Sequence, residues 1–202
     1  MESTTLIERY PIISSIFGSS HPILNLLTVL PFSALLVYWN FELLSIDKIP
    51  TYTFLLVVSW FYWTFFEYGF HRWVYHGKYK PGLLKDFIDS FHIYHHRNLD
   101  DPSVLTAGPL MIMPLSLVLL LPWWFIFKSQ GDYFAVMGVS LLLNYYFYEW
   151  IHFLIHRSNL KNKYMNFISE FHFHHHNKNW SKNFGNTTSI WDHLFGTYES
   201  EK

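Results

Sequence analysis

The chain contains no cysteine. Disulfides, cysteine-ligated zinc and iron–sulfur clusters are therefore excluded. Charge is also scarce: Asp, Glu, Lys and Arg make up 14% of the 202 residues, and the formal net charge is −1. Such a chain lacks the basic footprint of a nucleic-acid binder, and no nucleic-acid partner is expected. Nor is a cleavable leader expected. Residues 1–20 hold Glu2, Glu8 and only a short apolar run, so the chain should insert without processing.

What is abundant is apolar surface: half of the residues are hydrophobic. Four uncharged runs stand out, Pro22–Phe41, Ile49–Phe66, Pro102–Phe127 and the shorter Tyr133–Tyr148, whose helix should continue past Glu149 towards Arg157. About 20 apolar residues span a bilayer as a helix. The runs therefore predict four transmembrane helices paired as two hairpins; Trp60, Trp63, Trp123 and Trp124 fit interfacial aromatics, though core packing would use them too. Of the 14 Lys and Arg residues, the turns within the hairpins carry only Lys48 and Lys128. The other 12 (Arg9, Arg72, Lys78, Lys80, Lys85, Arg97, Arg157, Lys161, Lys163, Lys178, Lys182 and Lys202) lie with the termini and the histidine motifs. The positive-inside rule then places both termini and those motifs in the cytosol.

The histidines are the second abundance. Ten of the 13 fall into four short motifs: HRWVYH (His71, His76), HIYHH (His92, His95, His96), HFLIH (His152, His156) and HFHHH (His172, His175, His176). The second and fourth share H-x-x-H-H, a pattern expected by accident about 0.05 times in a chain of this composition. They are also in register. His76 to His156, His92 to His172, His95 to His175 and His96 to His176 are each 80 residues apart, and only His71 to His152 slips, to 81. Two similar halves are thus expected to give five imidazoles each to one centre.

Helical geometry makes the spacing chemically useful. Positions i and i+4 differ by about 40°, and i and i+3 by about 60° the other way. His92, His95 and His96 therefore share an arc of roughly 100°, as do His172, His175 and His176. Residues 83–98 read as an amphipathic helix with the stripe Leu84, Ile88, His92 and His95, and Tyr164, Ile168, Phe171, His172 and His175 form its counterpart. His71 and His76 fit less well, because five residues is about 140° on a regular helix. They converge only if the helix ends near His76, or else they serve different metals. His174, about 200° from His172, His193 and His21 are expected to be ordinary residues. Ten imidazoles exceed the ligand capacity of one ion, so two metals with four or five ligands each are expected. Glu67 and Glu149 precede the first histidine of each half and are candidates to orient ligand rings. The expected architecture is all-α and integral to the membrane. Four transmembrane helices in two hairpins carry a cytosolic helical cap that holds a histidine-rich di-metal site.

The ordered motifs H-x₄-H, H-x-x-H-H, H-x₃-H and H-x-x-H-H resemble those of the fatty acid hydroxylase and sterol desaturase superfamily of membrane di-metal oxygenases. The likeness is nearest to the catalytic domain of fatty acid 2-hydroxylases. Phe66-Glu67-Tyr68 before His71, Tyr148-Glu149 before His152, and the tail Phe184-Gly185, Thr188, Trp191-Asp192 and Phe195-Gly196-Thr197 carry it as well. The resemblance implies a single domain over 1–202 with a core at about 67–198. It also implies that His71, His76, His92, His95, His96, His152, His156, His172, His175 and His176 ligate two metals. Where the family commonly has Asp, this chain has Glu149. Some relatives carry a fused b-type cytochrome domain. Here a separate electron donor is expected, a b-type cytochrome or a ferredoxin with its reductase.

The expected activity is oxygen-dependent hydroxylation of a membrane lipid acyl chain, at carbon 2 of a fatty acid or acyl lipid. Attack on an unactivated C–H bond needs an oxidant made from dioxygen and two electrons, and zinc has no redox chemistry. Two iron ions are therefore the expected cofactor, dioxygen the co-substrate, and zinc a contaminant favoured by affinity. Tyr148 and Asp192 are candidates for the head-group region or for supporting the ligands. The same site could instead hydroxylate or desaturate a sterol, carotenoid or alkane. A non-catalytic metal carrier would place its ligands near the bilayer midplane, and a zinc hydrolase would want carboxylates among its ligands.

Overall fold

The computed structural model describes residues 4–158 and 162–200. Lys161 and Lys202, counted among the cytosolic charges above, lie outside the described residues. The chain opens with two short helices, α1 (Leu6–Arg9) and α2 (Ile12–Phe17), then a two-residue strand, β1 (Gly18–Ser19). A capping box between Thr5 and Glu8 starts α1. The Leu6 amide donates to Ser90 Oγ at 2.7 Å, which ties this lead-in to the cap helix α5 (Leu83–Arg97).

Four long helices form the body: α3 (Leu26–Asn40), α4 (Ile49–Gly69), α6 (Pro109–Phe127) and α7 (Gly131–Arg157). Among the described residues, three stretches are long and apolar enough to cross a membrane, Pro22–Leu43, Ile46–Tyr75 and Pro109–Phe127. The helix α7 is 27 residues long, carries Asp132, Glu149 and Arg157, and is not among those three. Val29, Trp63, Ile112, Leu119, Met137, Leu141 and Tyr145 pack where the helices meet. Leu27, Val57, Val118 and Phe125 point outward and are exposed, as lipid-facing side chains would be. Inside the bundle, the Ser59 and Ser140 hydroxyls pair, and Asn144 Nδ2 donates to Ser59 Oγ at 3.3 Å, joining α4 to α7.

Two expectations need correction, and one open choice is decided. The third apolar run is not helical from Pro102. Residues Pro102–Val104 make a 3₁₀ turn, and β2 (Thr106–Ala107) pairs antiparallel with β1. The run is apolar enough for helix, but two of its backbone groups serve the histidine site instead. The fold is thus helical apart from this two-stranded ladder among the described residues. Of the two readings open for the tryptophans, Trp63 takes the core one, 3% exposed and edge-on to Tyr145, whereas Trp60 and Trp124 face outward. Leu84, placed on the buried stripe by periodicity, is 63% exposed, because helix phase predicts which residues share a face but not where the covering surface ends.

Candidate metal centre

Each motif sits where a helix meets the cap. His71 lies in a π-helical segment, Phe70–Tyr75, that continues α4, and His76 caps it. His92, His95 and His96 lie on α5, and His152 and His156 on α7. His172, His175 and His176 lie on α8 (Lys163–Asn177). The π segment answers the question about HRWVYH. A π turn closes hydrogen bonds from i to i+5, and the His76 amide donates to the His71 carbonyl at 3.1 Å. Five residues then make about one turn, and both rings face the same way.

The ten imidazoles form two groups of five. One contains His71, His76, His92, His96 and His175; the other contains His95, His152, His156, His172 and His176. Within each group the candidate ligand atoms lie within 4.8 Å of one another. The grouping does not follow the halves. His95 of the first half sits with the second-half histidines, and His175, its partner in the repeat, sits with the first-half ones. The two halves therefore interlock by exchanging one histidine each. His174 stands outside both groups with Nε2 2.8 Å from Glu199 Oε2, and His193 stacks on Tyr198. His21 accepts from the Ile23 amide through Nδ1 at 3.2 Å.

The arrangement suits transition-metal ions. In the first group, Nε2 atoms face one another at 2.8–3.2 Å (His71–His92, His76–His92, His92–His96, His76–His175 and His96–His175). In the second, His156–His172 and His172–His176 are both 2.9 Å. Converging lone pairs repel unless a cation sits between them. Adjacent ligands on a six-coordinate ion with bonds of about 2.1 Å would stand about 3.0 Å apart. Among the described residues, neither ring nitrogen of the buried His95 has a hydrogen-bond partner. Such an orphaned group is costly unless something else satisfies it.

Burial keeps these rings neutral, which is the ligating form. It lowers His76 to about 4 and His175 to about 3, and it holds His92, His95 and His172 well below the ordinary imidazole range, with neighbouring histidines adding to the effect. In the metal-free protein the unfolded chain therefore binds protons that the folded chain refuses. Stability is full above the unfolded value near 6.5 and falls as the pH drops towards about 4, the folded value of His76. Circular dichroism of chelator-treated protein should show acid unfolding beginning below pH 6.5. A flat profile down to pH 4 would contradict the buried, neutral set.

Main-chain carbonyls fix several rings. Nδ1 of His71 donates to the Phe184 carbonyl at 2.5 Å, His175 to Lys182 at 2.6 Å, and His152 to Leu105 at 3.0 Å. A carbonyl only accepts, so each of these rings must carry its proton on Nδ1 and leave Nε2 free. Among the described residues, Glu67 and Glu149 touch no histidine ring through a hydrogen bond. Glu67 instead accepts from the Asn186 and Thr187 amides at 2.5 and 2.9 Å and from the Thr187 hydroxyl at 2.6 Å. Glu149 accepts from the Tyr145 hydroxyl at 2.5 Å and the Ala107 amide at 3.3 Å. Asp192 faces the tail loop: it accepts from the Phe184 and Gly185 amides and the Thr197 hydroxyl, at 2.8, 2.9 and 2.8 Å. Burial pushes the Asp192 carboxyl up, opposed by these hydrogen bonds. Tyr148 stacks on His152, and Tyr75 on His92.

A cavity of about 120 Å³ adjoins both groups. His71 and His92 of one and His95, His152 and His172 of the other form part of its wall, with Trp63, Phe66, Met111, Leu115 and Tyr148 from the bundle side. Sequence reasoning missed the carbonyls of Leu105, Lys182 and Phe184, which carry no side-chain signature, and the aromatic stack of Tyr75.

Comparison with known proteins agrees with this geometry. Residues 56–197 match the family model described as fatty acid hydroxylase. The chain is 32% identical over 146 residues to ceramide very long chain fatty acid hydroxylase scs7 of Schizosaccharomyces pombe, which covers 70% of this chain and 41% of that protein. It is 30% identical over 158 residues to a dihydroceramide fatty acyl 2-hydroxylase of Arabidopsis thaliana, covering 77% and 65%. The fold is similar to a solved structure of full-length scs7p in which only the hydroxylase domain is visible. The TM-score is 0.68 at 30% identity, over 87% of this chain and 67% of that one. The chain thus spans about two fifths of the fission yeast relative's length. With the match running across all four histidine motifs, this chain belongs to the fatty acid hydroxylase family.

Proposed function

We propose that the protein is a membrane lipid hydroxylase acting at carbon 2 of a fatty acyl chain, with two iron ions held by the ten histidines. The observation that carries this reading is the shared cavity: rings from both five-histidine groups meet one apolar pocket at the end of the bundle. When bound, the metal pair supplies the oxidising chemistry, in which dioxygen, two electrons and two protons put one oxygen atom into a C–H bond and release the other as water.

The residues of the chain do the rest. The imidazoles bind without charge, and the carbonyls of Leu105, Lys182 and Phe184 hold three of them in the ligating tautomer. Trp63, Phe66, Met111 and Leu115 exclude water and receive the acyl chain from the bilayer side. Tyr148 lies in the wall, where it can position the polar end of the substrate. A cavity of about 120 Å³ holds only about four water-sized groups. The reacting carbon and its neighbours would occupy it while the remaining chain stays in lipid.

In this reading α7 is the fourth span, its charges confined to its ends and to the cavity wall. The whole of 1–202 acts as one catalytic unit with the termini and the cap in the cytosol, an orientation that the distribution of Lys and Arg supports. Electrons come from a separate b-type cytochrome or ferredoxin with its reductase. The test is incubation of iron-loaded protein with a reductase system and labelled acyl lipid, with and without air. A 2-hydroxy product formed only in air is expected. No oxygen-dependent product from a metal-replete sample would contradict the proposal.

A further inference from the structure

The two acidic residues nearest the histidines form a matched pair. On α4, Glu67 precedes His71; on α7, Glu149 precedes His152. Each carboxylate grips the loop that holds its own histidine. His71 donates to the carbonyl of Phe184, and two residues on, the Asn186 amide donates to Glu67. His152 donates to the carbonyl of Leu105, and two residues on, the Ala107 amide donates to Glu149. Carbonyl at i and amide at i+2 is the same offset both times. Each device also crosses the repeat: the first-half glutamate and histidine use a second-half loop, and the second-half pair uses a first-half loop.

We propose that Glu67 and Glu149 are positioning residues, each setting the metal affinity of one histidine group through a loop carbonyl. Glu67 serves the group containing His71, and Glu149 the group containing His152. The physical logic is that a ligand ring binds best when its proton and its orientation are fixed beforehand, and partners of this kind change metal affinity by roughly 10–100-fold. A loop carbonyl can do this only if the loop itself is held. Glu67 holds its loop with three hydrogen bonds, two from amides and one from a hydroxyl. Glu149 holds its loop with one amide and is itself braced by Tyr145. Glu67, Glu149, Asn186, Thr187 and Tyr145 are buried and Ala107 is half-buried, so solvent replaces few of these contacts cheaply. The inference rests on the reading that the two groups bind metal.

The test is cobalt(II) titration of the full metal-free chain in detergent, followed by absorption. His76→Ala and His156→Ala assign the two binding events to their groups. Wild-type protein must first take up two ions per chain; fewer would overturn the metal reading itself, and this proposal with it. Given two, Glu67→Ala should weaken the His71 group by roughly 10–100-fold and leave the other within about 3-fold, and Glu149→Ala should do the reverse. Glu67→Gln and Glu149→Gln keep one acceptor oxygen and should recover most of the affinity. They also serve if the alanine variants do not fold, since each should still weaken only its own group. Equal losses at both groups, or none at either, would overturn the proposal with the metal reading intact.

Discussion

Replacing His175 by alanine is expected to strip the ion from a group otherwise built entirely by first-half residues. His95→Ala should do the converse, emptying the group built by His152, His156, His172 and His176. Both should lower the proposed hydroxylation on the order of 100-fold or more, since removing a ligand costs more than removing its support. The diagnostic feature is the crossing: each variant should empty the site of the opposite half. His174→Ala, one residue from His175, should keep both ions and lose its contact with Glu199. Metal analysis of the three variants, in the backgrounds that assign each site, reads this directly. An effect of His175→Ala confined to the His152 group, or a metal loss in His174→Ala equal to that in His175→Ala, would contradict the exchange.

Asp192→Ala should have the largest effect on folding. Its carboxylate is the acceptor for the Phe184 and Gly185 amides and the Thr197 hydroxyl, and the residue is 0% exposed. Truncation leaves these buried donors unsatisfied at about 1–3 kcal/mol each, not fully additive. A loss of about 3–5 kcal/mol is expected, a large share of the 5–15 kcal/mol that stabilises a typical domain. The same loop carries the Phe184 carbonyl that orients His71, so the His71 group should lose metal before the His152 group does. Gly185 cannot be replaced to restore the turn, because a Cβ there would sit 2.0 Å from the Thr188 carbonyl oxygen. Asp192→Asn keeps one acceptor and should cost less. Unfolding of chelated protein in detergent measures the difference, and a loss below about 1 kcal/mol for the alanine variant would show that Asp192 is not the anchor of this loop.

Much of this was legible in the sequence because the signal lay in side chains. The 80-residue register of the histidines marked two halves, and helical phase alone put His92, His95 and His96 on one face. The apolar runs gave the long helices to within a few residues, except where backbone groups of residues 102–107 are taken by Glu149 and His152. What stayed hidden lies in the main chain or in topology. The π segment at Phe70–Tyr75 depends on hydrogen-bond register, which spacing alone does not reveal. The exchange of His95 and His175 depends on how α5 and α8 cross, and a repeat cannot say which copy reaches over. Glu67 and Glu149 were recognisable only as candidates to support the histidines. That they hold the loops of Phe184 and Leu105 was not, since any residue type offers a carbonyl.

The central claim is that two ions sit side by side, each within one of the interlocked groups of five histidines. Anomalous diffraction from crystals of the full chain, at the iron and zinc edges, tests it most directly. Two peaks per chain are predicted, one ringed by His71, His76, His92, His96 and His175 and the other by His95, His152, His156, His172 and His176. A single peak, or two peaks each ringed by histidines of one half alone, would contradict it.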